Sequence, residues 1–267
     1  MSSLYDPTFA DFLEENKKTV ITIVVGVIIL ILGFLLFAQQ TQTFFFAPNA
    51  QSDASEIIKD YSVSKGNMDS DLIFVEFFDY ECSACQGFHP ITKSFIEQRG
   101  KDVGFVFKYF PVIGTYSVEA SRATQAAQIQ GKGAEFKDEI FNRVKIQSMT
   151  VSNLTAIAKD LGLDIEKWDK DRRSTEVKDQ VEKDEDLIRN LKLPKSSRGA
   201  GTKASSTPTI LIMYKGKLVD WFAGALSLED LNSITDKYLN QGKEKSTNQE
   251  ATTPEENTEK SSEKTQN

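Results

Sequence analysis

The chain has 267 residues, a length that allows one or two domains. Charged residues make up 27% and hydrophobic ones 39%, the balance of an ordinary globular protein, and a net charge of −7 with no basic patch excludes a nucleic-acid partner. Two cysteines and one histidine exclude a scaffold stapled by several disulfides and starve a four-ligand structural zinc site.

From Thr19 to Ala38 the sequence reads TVITIVVGVIILILGFLLFA, without a charge. About twenty apolar residues suffice for an α-helix to cross a bilayer core. Lys17 and Lys18 precede this run, and the next basic residue beyond it is Lys59. That asymmetry predicts a cytoplasmic segment 1–18, a transmembrane anchor 19–38 and everything after it outside the cell membrane, on the periplasmic or extracellular side. A cleaved signal peptide is the alternative, with Ala47 and Ala50 mimicking a cleavage site, but its apolar core would be shorter. Residues 39–55 read as a linker, with Phe44, Phe45 and Phe46 suited to the outer interface.

The folded region is expected over 56–241. Leu72–Phe78 (LIFVEFF) and Val103–Phe110 (VGFVFKYF) are runs of β-formers apolar on both faces, which suits strands covered on both sides. Helical patterns follow at Ser83–Gln98, Val118–Gln130, Glu135–Ile146, Ser152–Leu161 and Ile165–Leu191. Ile210–Tyr214 and Leu218–Phe222 flank Lys215-Gly216-Lys217 as a hairpin, and a last helix covers Leu228–Leu239. The order is that of an α/β sheet protein with an inserted block of helices at about 115–195. Trp168, Trp221 and the many Phe residues read as core, and the charges of Glu166–Arg189 as the solvated face of one long helix. Residues 242–267, polar and without an aromatic, read as a disordered tail because they cannot bury enough apolar surface to offset ordering entropy.

Chemistry concentrates at Asp79-Tyr80-Glu81-Cys82-Ser83-Ala84-Cys85, a CxxC where a buried strand gives way to a helix. The N-terminal end of a helix presents unpaired N–H groups and a partial positive charge, and a thiolate at Cys82 is stabilised by both. Cys85, one turn deeper, is expected to be shielded and to act as the resolving thiol. A passive local disulfide or half a metal site is the alternative that this placement disfavours.

Lys65-Gly66-Asn67 followed by IFVEFFDYECSAC resembles the opening of the DsbA-like branch of the thioredoxin superfamily. VFKYFP at Val106–Pro111 and the helix around Ala120–Gly131 resemble that branch's second strand and the start of its helical insertion. Ser206-Thr207-Pro208-Thr209-Ile210 resembles the superfamily's cis-proline loop. The resemblance spans about Asp53 to Leu239 and implies a thioredoxin-like sheet with an inserted helical domain. It implies that Cys82 is the nucleophile, Cys85 the resolving cysteine, Pro208 a cis-proline facing them and Thr207 a backbone partner for an extended substrate. It further implies that Glu76 lies under the site and moves the proton of the deeper cysteine, with Lys108 as that acid's partner; a strand-end ion pair without chemistry is the plainer alternative. His89 departs from the pattern, since strongly oxidising relatives carry a histidine between the cysteines.

The function so implied is that of an oxidase donating disulfides to reduced exported proteins, without a cofactor or metal of its own. A membrane quinone-linked reoxidase of the DsbB or vitamin-K-epoxide-reductase type would regenerate it. A reductase or isomerase of the same fold is the runner-up. A copper-handling protein using Cys82, Cys85 and His89 is the reading from another class, since soft thiolates suit Cu(I).

Overall fold

A computed structural model describes residues 52–143, 149–196 and 202–250. The anchor expected at 19–38 lies outside the described residues, and among those described no helix is long and apolar enough to cross a membrane. The elements run α1 (Ala54–Ile57), β1 (Val63–Gly66), β2 (Leu72–Phe78), α2 (Ser83–Arg99), β3 (Gly104–Tyr109), α3 (Thr115–Ile129), α4 (Gly133–Arg143), α5 (Val151–Asp160), α6 (Ile165–Arg172), α7 (Thr175–Asn190), β4 (Thr209–Tyr214), β5 (Lys217–Ala223) and α8 (Leu228–Glu250). The sheet order is β1-β3-β2-β4-β5. Strand β2 pairs parallel with β3, and the remaining pairs are antiparallel.

The sheet's two faces carry different cores because side chains alternate along each strand. Phe74 and Phe78 of β2 join Phe105, Phe107 and Tyr109 of β3 in the larger cluster, under α2, α3 and α4. Val75 and Phe77 join Val106, Leu211 and Trp221 on the opposite face, which Ile188 of α7 helps to cover. Burial on both sides explains why β2 and β3 are apolar almost throughout, and why Glu76 and Lys108 stand out in them.

Three elements differ from the sequence expectation. Strand β1 is a short edge strand with only Val63 fully buried, too polar to signal itself. The stretch Ile165–Leu191 is two helices, because Ser174 caps α7 by accepting the Val177 N–H and so starts a new helix. Helix α8 runs to Glu250, into the stretch expected to be disordered from residue 242, while 251–267 lie outside the described residues. Once a helix is nucleated by packing, Lys, Glu and Gln prolong it at little cost. The hairpin turn is as expected: Lys215 at φ 50° and Gly216 at φ 76° form a two-residue loop in which both residues are left-handed.

Helix α7 is tied to β3 by a buried ion pair. Lys108 Nζ donates to Asp184 Oδ1 at 2.6 Å, the Tyr109 N–H donates to Asp184 Oδ2 at 3.2 Å, and both side chains are buried. Asp184 replaced by Ala leaves Lys108 buried without its counter-charge, a loss on the order of 3–5 kcal/mol in a urea denaturation series. Replacing both residues with apolar ones (Lys108→Met with Asp184→Leu) should recover most of that loss. A single variant within ~0.5 kcal/mol of wild type would show that the pair does not hold the insertion to the sheet.

Candidate active site

Strand β2 ends at Phe78, and Asp79-Tyr80-Glu81 lead into α2, whose N-cap residue is Cys82. Tyr80 is the apolar anchor of this turn: its ring packs edge-on to Phe78 at 4.9 Å and its hydroxyl lies 2.6 Å from Thr124 Oγ1. The two acids face the insertion instead. Asp79 Oδ2 accepts the N–H groups of Val112 and Ile113 at 2.7 and 2.8 Å. Asp79 Oδ1 accepts the Ser117 hydroxyl, and Glu81 Oε2 accepts the Ser117 N–H at 2.9 Å. The carboxylates thus satisfy orphan donors around the start of α3 and complement its dipole. A Cβ at Gly114 would meet the Glu81 carboxylate, so a larger residue there would have to push that side chain off the Ser117 N–H.

The cysteines are unequal, and both are free thiols. Both are buried, but Cys82 retains 7% of its surface against 1% for Cys85, so the first lies nearer the surface. The Cys82 thiol donates to the Thr207 carbonyl at 3.2 Å, and the Thr207–Pro208 bond that follows is cis. A loop 125 residues away in sequence therefore closes over the Cys82 sulfur.

Below the thiols lies Glu76, buried in β2. Burial pushes its carboxyl up to about 7, against the pull of the Lys137 ammonium. Burial, and then the Glu76 charge, raise the proton affinity of Cys85 far above the ordinary thiol value. The charge on the acid thus holds the proton on the deeper thiol.

The sequence profile of the thioredoxin family matches residues 59–237, most of the chain. The chain belongs to the thioredoxin family. This thioredoxin-family chain is 28% identical over 194 residues to the "Probable disulfide bond formation protein D" of Bacillus cereus, covering 68% of this chain and 86% of that one. It is 29% identical over 166 residues to the Na(+)/H(+) antiporter NhaA 1 of Mycobacterium sp. (strain KMS), covering 61% of this chain but only 25% of the antiporter. The chain thus spans about a quarter of the length of that antiporter. Among solved structures, BdbD from Bacillus subtilis (oxidised) superposes with a TM-score of 0.54 at 23% identity, over 71% of this chain and 97% of that one. The chain shares its fold with BdbD and with the thiol-disulfide exchange protein α-DsbA2 from Wolbachia pipientis, the latter at a TM-score of 0.56 and 22% identity over 68% of this chain and 89% of that one.

The tertiary structure brings Cys82, Cys85, Thr207, Pro208 and Glu76 to one end of the sheet but separates Lys108 from them. Lys108 is not the partner of Glu76. The parallel register sets Glu76 beside Phe107 and Phe77 beside Lys108, so the acid and the strand lysine point to opposite faces. The cation that acts on Glu76 is Lys137 of α4. Its signal was present in the sequence, for Lys137 lies four residues after Gly133 and three before Ile140 on the buried face of α4. His89 does not join the cysteines either: its ring stacks on Phe141 at 4.9 Å, and its Nδ1 lies 3.4 Å from Lys137 Nζ. Burial and the lysine hold its imidazole down at about 4, so it is neutral at neutral pH.

The raised Glu76 value has a thermodynamic signature. The group titrates at about 7 in the fold against an ordinary 4.5, so across that window the folded protein holds the extra proton and loses stability as pH rises. His89 works in the opposite direction, at about 4 in the fold against 6.5, its contribution being lost as pH falls through that range. A Glu76→Gln variant removes the first effect and keeps the second. Its stability advantage over the wild type should therefore grow by ~3 kcal/mol between the two Glu76 values. Chemical denaturation at a series of pH values measures this, and a flat difference would exclude a raised Glu76.

Proposed function

We propose that this chain is an extracytoplasmic protein thiol–disulfide oxidoreductase, tethered to the membrane by residues 19–38, that introduces disulfides into reduced exported proteins. The observation that carries the reading is the pairing of the Cys82 sulfur at the start of α2, 3.2 Å from the Thr207 carbonyl, with the more deeply buried Cys85 one turn further on. In the oxidised enzyme a client thiolate attacks the Cys82 sulfur. The Cys82–Cys85 bond breaks, a client–Cys82 disulfide forms, and Cys85 leaves as an anion that takes a proton from Glu76. A second client thiolate then attacks the client sulfur, closing the client disulfide and releasing Cys82 as a thiolate at the start of α2. The client loses two electrons and the enzyme gains them. The Thr207–Pro208 loop borders the nucleophile and offers backbone to an extended client strand.

Reoxidation runs through the reverse chemistry with a membrane quinone-linked partner of the DsbB or vitamin-K-epoxide-reductase type. The similarity to a disulfide bond formation protein over most of both chains supports this direction over reduction or isomerisation. The copper reading loses its third ligand, because His89 faces Lys137 and Asp138 rather than the sulfurs.

Four measurements test the reading. A Cys85→Ala variant should accumulate mixed disulfides with exported proteins through Cys82, and a Cys82→Ala variant should accumulate none. Glu76→Gln should slow resolution by Cys85 by about a hundredfold, the scale of one general base. In intact cells, a membrane-impermeant thiol reagent should label reduced Cys82. Equilibration with glutathione separates oxidase from reductase: a potential at or below about −270 mV would replace the oxidase assignment with a reductase.

A further inference from the structure

The helical insertion reaches the redox site through one side chain. Lys137 of α4 is fully buried, and its Nζ stands 3.9 Å from the centroid of the Phe107 ring. Phe107 is the cross-strand neighbour of Glu76, so the ammonium sits over the position beside the acid, on the face where α2 carries Cys85. A buried ammonium is tolerable only when anionic or polar groups surround it. Those groups are at hand: Asp138 Oδ1 at 3.6 Å, His89 Nδ1 at 3.4 Å, and Glu76 through space.

We propose that Lys137 is a positioning residue of the redox site, whose ammonium favours the carboxylate form of Glu76 that takes the proton of Cys85. This rests on the proton-transfer role given to Glu76 above. During reoxidation the partner has formed a disulfide with Cys82. The Cys85 S–H proton moves to Glu76, the Cys85 sulfur attacks the Cys82 sulfur, the Cys82–Cys85 bond forms, and the partner leaves as a thiolate. The step requires an ionised acid in an apolar sheet, and the neighbouring cation supplies what solvent would otherwise give.

The charges facing this pair come from every element around it. Helix α2 contributes Cys85 and a neutral His89, with Lys93 further out; the loop before α2 contributes Tyr80; and α4 contributes Asp138. From β1, Lys65 Nζ donates to Asp138 Oδ2 at 2.6 Å. Lys65 thereby anchors Asp138, the one carboxylate within 4 Å of Lys137 Nζ among the described residues. Lys137, Asp138, Lys65 and Thr92 also line a cleft of about 70 Å³ whose rim includes the exposed Lys93 and Glu97. That volume accommodates water beside Lys137 and Asp138, whereas Glu76 does not line the cleft.

The test is the pH profile of a single step. Protein carrying glutathione on Cys82 is mixed at a series of pH values, and release of glutathione by Cys85 is followed by rapid quench. Lys137→Met should move the midpoint of the acid limb up by at least about one pH unit, which slows the step about tenfold on that limb and leaves its alkaline plateau in place. Lys137→Arg, which keeps the charge, should leave the midpoint near that of wild type. In a Glu76→Gln background the Lys137→Met change should have no further effect on the profile. A midpoint that stays put in Lys137→Met, or a shift that persists without Glu76, overturns the inference. Should the methionine variant fail to fold, Lys137→Gln is read in the same way. If Glu76→Gln alone leaves the acid limb unchanged, the role of Glu76 falls first; if it abolishes the limb while Lys137→Met moves nothing, only the role of Lys137 falls.

Discussion

A carboxyl group buried in the middle of a sheet is the constraint on which the site depends. Glu76 sits in a strand covered on both faces, where an ionised acid without a counter-charge would cost several kcal/mol, roughly. The fold meets this cost from three directions. The strand ends two residues later and gives way to α2, the deeper thiol beside the acid stays protonated and so adds no second negative charge, and a lysine from the insertion lies on the same face. An apolar residue at the same position would fill the space more cheaply.

The insertion is bound to the sheet by polar groups at both ends and on both faces. On the face of the thiols, Asp79 and Glu81 hold the start of α3, and Lys137 reaches under the site from α4. On the opposite side, Asp184 of α7 clasps Lys108 and the Tyr109 N–H. Such contacts are directional, whereas the alanine-rich face of α3 packs without much preference for register. The polar clasps therefore decide where the helices stand relative to Cys82, and the apolar core decides that they stand there firmly.

Much of the site was legible from the chain because it is local. The CxxC at the end of LIFVEFF, the Thr-Pro before a hairpin and the isolated acid in an apolar strand are short patterns whose meaning does not depend on distant residues. Lys108 shows where such reading stops. Two odd charges in neighbouring apolar strands invite pairing, but a shift of one residue in register sends the side chains to opposite faces. Lys137 and Asp184 were missed for the converse reason: helical spacing puts each on the buried stripe of its helix, but the many other charges of the same helices face solvent and mask it.

By itself the sequence determined the class of fold, the place of the thiols at a strand–helix junction and the order of the elements, because periodicity and capping act within a few residues. Only the tertiary structure decided which lysine serves the buried acid, which aspartate serves the strand lysine, and how Thr207 comes to face Cys82. Those pairings depend on sheet register and helix placement, which are set by the packing of segments far apart in the chain.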